Sequence, residues 1–198
     1  MVLVYVGDVN KMKPKFIAIA AITIDGKIAQ NKKHMSDWTS PEDKLFMRAL
    51  LNKCDVVIVG NNTYKTAIKP LSKRNCIVFS RSENQTNQMN RIYVNPEKTD
   101  IKKLINNLPA FAPGFGGLPS KNKNKVGKKI AILGGAQTYA YCLANNMLDE
   151  LYLTIEPLVF GKGINLFEGK NFLNSNFKLI SIKKLNKQGS LLLKYHLL

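Results

Sequence analysis

The stretch Lys129-Ile-Ala-Ile-Leu-Gly-Gly-Ala-Gln-Thr-Tyr139 runs from an apolar segment through two adjacent glycines into a helical pattern. The apolar segment predicts a buried strand, and the glycines open a helix that we expect to extend roughly to Asn146. Val59-Gly-Asn-Asn-Thr-Tyr64 repeats this arrangement earlier in the chain. Continuous apolar strands that lead into helices are typical of a mostly parallel α/β sheet.

The rest of the chain continues this succession of strands and helices. The other strands of the sheet are predicted at 16–24, 55–60, 75–80, 91–94 and 150–155, and the other helices at 41–53, 62–68 and 100–108. Residues 177–183 and 190–197 are predicted to form an antiparallel pair. The expected fold class is therefore α/β, with a mostly parallel central sheet flanked by helices and an antiparallel C-terminal strand pair.

Length and composition limit the number of domains and the cellular setting. With 198 residues, 45% of them hydrophobic, the chain can bury one core, and we expect a single domain over residues 16–198. Residues 1–15 are interpreted as an N-terminal extension, and about 110–128 as a surface-loop insertion. No apolar run approaches the ~20 residues that span a membrane, no signal peptide is recognised, and three dispersed cysteines favour a reducing compartment. We therefore expect a cytoplasmic protein without a metal site.

A formal net charge of +17 raises the alternative of a nucleic-acid-binding protein. The lysines are dispersed along the chain, whereas a nucleic-acid site needs clustered basic residues and a salt-sensitive affinity. A basic nucleic-acid-binding domain is therefore the least favoured of the functions considered. We expect neither a membrane partner nor a specific nucleic acid.

One carboxylate stands out in the first predicted helix. Ser40-Pro41 is typical of a helix start, and Asp43 then lies on the apolar side of the helix, with Phe46 and Met47. Asp43 can complete a capping box with the serine, since acids suit the first helical turn. Alternatively, it is a lone carboxylate at the edge of an apolar pocket, where it could hold and protonate a nitrogen heterocycle.

Three strand ends carry groups suited to phosphate. Glycines let a phosphate approach the backbone, and N–H groups at a helix start attract anions. Gly134-Gly135 and Gly60 are compatible with a pyrophosphate, although tight strand-to-helix packing explains them equally well. Ser80-Arg81 adds a hydroxyl and a cation at a third strand end. Together these ends favour a dinucleotide, and Arg81 favours NADP over NAD because it can pair with an extra ribose phosphate.

The order of these motifs resembles that of the dihydrofolate reductase superfamily from about residue 16 to residue 154. The motifs that carry the resemblance are Ala20-Ala-Ile-Thr-Ile-Asp-Gly-Lys-Ile28, Trp38-Thr-Ser-Pro-Glu-Asp43, Val59-Gly-Asn-Asn-Thr-Tyr64, Pro70-Leu-Ser-Lys-Arg74, Ile77-Val-Phe-Ser-Arg81, Leu133-Gly-Gly-Ala-Gln-Thr-Tyr139 and Glu150-Leu-Tyr-Leu-Thr154. Three further segments are similar to the pyrimidine reductases of riboflavin synthesis, which belong to the same superfamily: Ile24-Asp-Gly-Lys-Ile-Ala29, Pro157-Leu-Val-Phe-Gly-Lys-Gly-Ile-Asn-Leu-Phe167 and Leu191-Leu-Leu-Lys-Tyr195.

By this resemblance, Asp43 matches the acidic pterin-binding residue of dihydrofolate reductases, which promotes protonation at N5. Thr154 would share its hydrogen-bond network, Trp38 would position a water molecule, and Tyr139 would lie near the reacting rings. The remaining substrate contacts that the resemblance implies are a backbone carbonyl from Ile19, a pocket lining from Phe46 and Met47, and a clamp on the glutamate carboxylate from Arg74, assisted by Lys69.

The resemblance also implies NADPH as the cofactor. Ala21 and Ile28 would flank the nicotinamide, and Ser80 with Arg81 would bind the 2′-phosphate. The segments that would hold the pyrophosphate and its surroundings comprise Gly60, Asn62, Thr63, Gly134, Gly135, Ala136, Gln137 and Thr138, with Tyr139 near the nicotinamide.

We therefore expect NADPH-dependent reduction of 7,8-dihydrofolate to 5,6,7,8-tetrahydrofolate, a step of one-carbon metabolism, by a monomer or homodimer. An NADPH-dependent reductase of a phosphorylated ribosylaminopyrimidine in riboflavin biosynthesis is the alternative. Two departures from the dihydrofolate reductase pattern bear on this choice. Asn61 stands where many members carry a basic residue, and Phe160-Gly-Lys-Gly-Ile164 replaces the segment that braces the first loop in bacterial enzymes.

Overall fold

The computed structural model of the chain describes residues 13–82, 86–88, 90–108, 128–169 and 174–198. Most of the expected N-terminal extension and almost all of the expected insertion lie outside these residues. Lys15, the last residue of the expected extension, is already part of the first strand, where it pairs with Lys129. The sheet therefore begins one residue before the predicted domain boundary.

The described residues form ten strands and five α-helices. The strands are β1 Lys15–Thr23, β2 Lys27–Ala29, β3 Val56–Gly60, β4 Cys76–Phe79, β5 Arg91–Val94, β6 Lys129–Ile132, β7 Glu150–Glu156, β8 Ile164–Asn165, β9 Phe177–Lys184 and β10 Leu191–Leu197. The helices are α1 Pro41–Leu51, α2 Asn61–Thr66, α3 Ile68–Leu71, α4 Ile101–Asn107 and α5 Ala136–Ala144, with a 3-10 turn at Ser36–Trp38. The sequence does not predict β2, β8 or α3, because segments this short show no periodicity. None of the described helices is long and apolar enough to cross a membrane.

Eight of these strands form one sheet in the order β5-β4-β3-β6-β1-β7-β10-β9. The pairs from β5 through β7 are parallel, whereas β10 is antiparallel to both β7 and β9. The short strands β2 and β8 pair with each other in a separate antiparallel sheet. The predicted fold class is thereby confirmed.

Helices cover both faces of the parallel strands, which explains their continuous apolar sequences. Val57 and Val59 of β3 pack on one face, in the same cluster as Leu51 of α1. Ile58, between them, packs on the other face with Ile105 of α4. Ile58 and Ile105 have no exposed surface, and burying such a side chain stabilises the fold by about 1.5–3 kcal/mol.

The parallel order of β4, β3, β6, β1 and β7 brings their carboxyl ends to one edge of the sheet. Ligands of α/β sheets bind at this edge. Many of the predicted site residues end or follow one of these five strands, whereas Asp43 comes from the start of α1. The fold thus gathers residues from distant parts of the sequence along one line.

Candidate active site

The start of α1 holds Asp43 at the carboxyl edge of the sheet. Ser40 is the N-cap residue, and its hydroxyl accepts a hydrogen bond from the Asp43 N–H at 3.2 Å. The Asp43 side chain is only 6% exposed, and the hydroxyls of Thr39 and Thr154 donate hydrogen bonds to its carboxylate. The Asp43 backbone thus joins the helix cap, while its side chain is buried at the carboxyl edge of the sheet. That it holds or protonates a bound ring stays a prediction.

Burial raises the pKa of the Asp43 carboxyl above its ordinary value. The two threonine hydroxyls oppose this rise because they stabilise the charged form, and the nearby negative charge of Glu156 adds to it. A carboxyl with a raised pKa keeps its proton closer to neutral pH. That property suits a group that holds and donates a proton.

A second buried carboxylate, Glu156, is not predicted from the sequence. It ends β7, is 3% exposed, and accepts a hydrogen bond from the Ser40 N–H at 2.7 Å. The Ser190 hydroxyl donates to its other oxygen. A signal was available in the sequence, because Glu156 follows Thr154 by two residues and such residues share one face of a strand. Together these groups form the acid pocket: Thr39, Ser40, Asp43, Thr154, Glu156 and Ser190.

Phe46 and Met47 continue from Asp43 along α1. The Phe46 ring packs against Tyr152 of β7, with ring centroids 5.5 Å apart. Met47 is partly buried against the core cluster on the same face of the sheet. The acid pocket is therefore bordered by an aromatic pair, which provides an apolar surface for a flat ring.

Arg74 lies near the opposite end of α1. Its guanidinium donates a hydrogen bond of 2.7 Å to the side chain of Asn52, the C-cap residue of the helix. Asp43 and Asn52 are on the order of 14 Å apart along the helix axis, at about 1.5 Å per residue. Lys69, which was predicted to assist Arg74, is exposed on α3. A substrate that reached both Asp43 and Arg74 would have to extend along α1.

Glycines bring the ends of β3 and β6 into close contact. The Gly60 N–H donates to the Gly134 carbonyl at 2.7 Å. A Cβ atom on Gly60 would lie 2.9 Å from Thr138 Oγ1, and one on Gly135 would lie 3.4 Å from Thr63 Oγ1. These five residues form the glycine cradle. Tight packing accounts for its glycines, since Gly134 is buried and Gly135, at the start of α5, is half-buried.

The remaining residues of this predicted cofactor segment border the glycine cradle. Gly135 is the N-cap of α5 and makes no side-chain capping bond, while its carbonyl accepts hydrogen bonds from the Thr138 and Tyr139 N–H groups at 2.9 and 3.1 Å. Ala136 is buried, whereas Gln137 and Asn62 are exposed. The residues that border the cradle thus include a buried alanine and two exposed polar side chains.

Tyr139 contacts another residue of the predicted site, Ile19. Its hydroxyl donates a hydrogen bond of 2.5 Å to the Ile19 carbonyl, the group predicted to contact the substrate ring. Tyr139 is 4% exposed, and burial raises the pKa of its hydroxyl, which therefore stays protonated. The Ile19 carbonyl has a second lone pair, so this contact does not exhaust its capacity to accept.

Ser80 and Arg81 follow β4, which is the neighbour of β3. Ser80 is buried, and its hydroxyl accepts a hydrogen bond from the Ser82 N–H at 3.2 Å. Arg81 is exposed. The order of the strands places this pair beside the glycine cradle, on the side away from the acid pocket.

The segment after β7 braces the loop between β1 and α1. Asp25 accepts hydrogen bonds from the N–H groups of Phe160 and Gly161, at 3.2 and 3.0 Å. The Phe160 ring contacts Trp38 edge-on, with centroids 5.1 Å apart, and β8 pairs with β2 within the loop. The segment 160–164 therefore braces the first loop of this chain, although its sequence differs from that of the bacterial enzymes. Two predicted nicotinamide neighbours are half-buried beside this loop, Ala21 in β1 and Ile28 in β2.

Two comparisons of sequence place this chain among known proteins. Residues 15–188 match the family described as dihydrofolate reductase. YwjB, an uncharacterized protein of Bacillus subtilis (strain 168), is 25% identical over 164 residues, which cover 79% of this chain and 84% of YwjB.

Solved structures extend the comparison to the fold. One is the diaminohydroxyphosphoribosylaminopyrimidine deaminase/5-amino-6-(5-phosphoribosylamino)uracil reductase of Thermotoga maritima, with a TM-score of 0.66 at 15% identity, over 94% of this chain and 57% of that one. Another is the dihydrofolate reductase of Enterococcus faecalis complexed with NADP(H) and RAB-propyl, with a TM-score of 0.58 at 17% identity, over 92% of this chain and 96% of that one. Identities this low show a shared fold alone. The family match, by contrast, runs from β1 to the turn before β10, and on that ground the chain belongs to the dihydrofolate reductase family.

Proposed function

We propose that the protein catalyses NADPH-dependent reduction of 7,8-dihydrofolate to 5,6,7,8-tetrahydrofolate. The observation that carries this proposal is the buried Asp43 carboxyl, with its raised pKa and its two threonine donors, at the carboxyl edge of the sheet. The family match supports the same reaction. A pterin ring offers a 2-amino group and a ring nitrogen side by side, which a single carboxylate can bind through both of its oxygens.

The reaction adds a hydride at C6 of dihydrofolate and a proton at N5. NADPH supplies the hydride when it is bound. Asp43 would hold the pterin and favour the proton at N5, while the Phe46–Tyr152 pair would provide the apolar surface for the ring. Positioned acid catalysis of this kind contributes about 10²- to 10⁴-fold to a rate.

The residues of the glycine cradle fit the pyrophosphate of a dinucleotide. Gly135, half-buried at the start of α5, gives the backbone there no side chain of its own, and the first N–H groups of the helix would bind an anion. Arg81, exposed beside the cradle, would pair with the 2′-phosphate. Arg74, at the far end of α1, would bind the glutamate carboxylate of the folate tail.

A second function, reduction of a phosphorylated ribosylaminopyrimidine, is favoured by one specific observation. The segment from Pro157 to Phe167, which is similar to that of riboflavin-pathway reductases, forms the brace of the first loop through Asp25 and β8. The solved structure from Thermotoga maritima carries such a reductase activity in its name. Such a substrate has no glutamate tail, so it would make no use of Arg74.

Arg74 therefore distinguishes the two functions. The test is NADPH oxidation by the purified protein with dihydrofolate and with 5-amino-6-(5-phosphoribosylamino)uracil, compared in the wild type, Arg74→Ala and Lys73→Ala. Lys73 is an exposed neighbouring cation and serves as the matched control. We expect turnover of dihydrofolate, with a KM raised at least tenfold in Arg74→Ala alone, since a charged hydrogen bond contributes about 1.5–3 kcal/mol. Turnover of the pyrimidine only, unchanged in Arg74→Ala, would replace the first function by the second.

A further inference from the structure

The helix cap beside Asp43 departs from the usual arrangement. In a capping box, the acid at the third helical position reaches back to the backbone N–H of the N-cap residue. Asp43 occupies that third position after Ser40. The Ser40 N–H, however, donates to Glu156 of β7 at 2.7 Å. A residue from a distant strand thus takes the bond that Asp43 would otherwise make, and the Asp43 side chain meets Thr39 and Thr154 instead.

Glu156 is held firmly in that position. Its second oxygen accepts from the Ser190 hydroxyl, and that hydroxyl also accepts a hydrogen bond of 2.9 Å from the Asn186 side chain. The side-chain oxygen of Asn186, Oδ1, in turn accepts from the Ser190 N–H at 3.0 Å, which closes the turn before β10. Both donors to Glu156 are neutral groups. Neither donor therefore carries a charge that offsets a carboxylate, and a charge at Glu156 acts on its neighbours over a short range.

We infer that Glu156 is a positioning residue for Asp43: it fixes the start of α1 against β7, leaves the Asp43 side chain free to face the carboxyl edge, and places a second negative charge beside it. The inference rests on the proposed function for its catalytic meaning, although its geometric part does not depend on the substrate.

The titratable groups around Asp43 come from three elements. Glu156 faces it from β7, Lys44 acts on it from α1, and Asp43 in turn acts on the buried Tyr139 hydroxyl of α5. The Lys44 ammonium donates to the backbone carbonyl of Asp37 at 3.1 Å, in an exposed position. The charge of Glu156 opposes ionisation of Asp43, whereas that of Lys44 favours it.

The test is a titration of the Asp43 carboxyl by NMR in the full chain without substrate. The midpoint is compared in the wild type, Glu156→Gln and Glu150→Gln. Gln keeps the length of the side chain and an acceptor for the Ser40 N–H, and removes the charge. Glu150 lies on the same face at the other end of β7, on the order of 20 Å away at about 3.3 Å per residue, so its substitution is the matched control.

We expect the midpoint of Asp43 to move to lower pH in Glu156→Gln and to stay in place in Glu150→Gln. If Glu156→Gln does not fold, Glu156→Met serves as a second neutral variant of similar length. In Glu156→Met the Ser40 amide should also exchange with solvent at least tenfold faster, because its acceptor is gone, whereas Glu156→Gln should retain protection. An unchanged Asp43 midpoint in the neutral variants, or equal shifts in both glutamate positions, would overturn the inference.

The outcome is separable from that of the proposed function. A shifted midpoint in a protein that does not oxidise NADPH with dihydrofolate would keep the role of Glu156 and reject the substrate. If the Asp43 midpoint is unshifted while dihydrofolate turnover depends on Asp43, the proposed substrate is kept and the role of Glu156 is rejected.

Discussion

The glycine cradle and the acid pocket lie at the same edge of the sheet, but different kinds of contact hold them together. In the cradle, the Gly60 N–H donates to the Gly134 carbonyl at 2.7 Å, and a Cβ atom on Gly60 would lie 2.9 Å from the Thr138 hydroxyl of α5. The acid pocket instead depends on side chains, with Asp43 and Glu156 satisfied by hydroxyl and N–H donors. In the cradle, glycine backbone packs against threonine hydroxyls and leaves no room for a further side chain, whereas the acid pocket is held together by hydrogen bonds between polar groups.

This difference determines how each region should respond to substitution. A cradle made of backbone fails when a side chain is added, because the neighbouring atoms cannot move away. A pocket made of hydrogen bonds responds to the removal of a charge or a donor, and the response depends on pH. The following changes test that contrast, beginning with the largest expected effect.

Adding a methyl group to the cradle should damage folding and cofactor binding together. Gly134 has φ +86°, and a Cβ atom there would lie 2.7 Å from the Tyr139 ring. We expect Gly134→Ala to lower the free energy of unfolding by about 2–4 kcal/mol, from left-handed backbone strain and overpacking. We also expect at least a tenfold loss of NADPH affinity, measured by fluorescence titration.

The matched control for this change is Gly189→Ala. Gly189 also has a positive φ, of +105°, but nothing lies within 4 Å of an added Cβ. The Gly189→Ala variant should lose stability through backbone strain alone and keep its affinity for NADPH. Equal loss of affinity in both variants would contradict a specific role for the cradle.

Removing a cation beside the cradle should change the choice of cofactor. We expect Arg81→Ala to weaken NADPH binding about tenfold and leave NADH binding unchanged, because a charge-assisted bond to the 2′-phosphate contributes about 1.5–3 kcal/mol. Lys187→Ala, which removes an exposed charge from the turn between β9 and β10, is the control for net charge. A parallel loss of NADH affinity would show that Arg81 does not contact the 2′-phosphate.

In the acid pocket, Asp43→Asn should alter stability in a pH-dependent manner. Because burial raises the pKa of Asp43, the folded protein keeps this proton to higher pH than the unfolded chain, whose value is about 3.9. The wild type therefore loses stability as the pH rises from about 3.9 through the raised value, and the loss persists above it. We expect Asp43→Asn to gain stability relative to the wild type between pH 3 and pH 7, measured by thermal unfolding. If the stability of Asp43→Asn relative to the wild type fell as the pH rose from 3 to 7, the result would contradict a raised pKa of Asp43.

The smallest effect is expected at the helix cap. Ser40→Ala removes the hydroxyl that accepts from the Asp43 N–H at 3.2 Å, and should lower the free energy of unfolding by about 1 kcal/mol. The Ser40 N–H bond to Glu156 involves the backbone and is retained. A loss of several kcal/mol in chemical denaturation would mean that the pocket depends on this hydroxyl far more than its contacts indicate.

The two regions also differ in how readily the sequence reveals them. The glycine cradle follows from two local strand-to-helix motifs, and the apolar strands that lead into them show the parallel fold. Asp43 was recognisable because it interrupts an apolar helix face and follows Ser40-Pro41. These features are local, so a short stretch of sequence contains all the information.

Glu156 and Ser190 were not predicted, because their roles arise from contacts across more than 30 residues with each other and more than 100 with the helix cap. Only the three-dimensional fold brings the end of β7, the turn before β10 and the start of α1 together. The brace formed by Asp25 and β8 was missed for the same reason. Short strands and long-range polar bonds leave no periodic trace in a sequence.

The central claim is that the acid pocket performs the proton chemistry while the glycine cradle binds the cofactor. It is tested most directly by single-turnover reduction of dihydrofolate in Asp43→Asn, with NADPH affinity measured on the same protein. We predict a rate at least 100-fold below that of the wild type, with NADPH affinity unchanged. A wild-type rate in Asp43→Asn, or a loss of NADPH binding as large as the loss of rate, would contradict this division of roles.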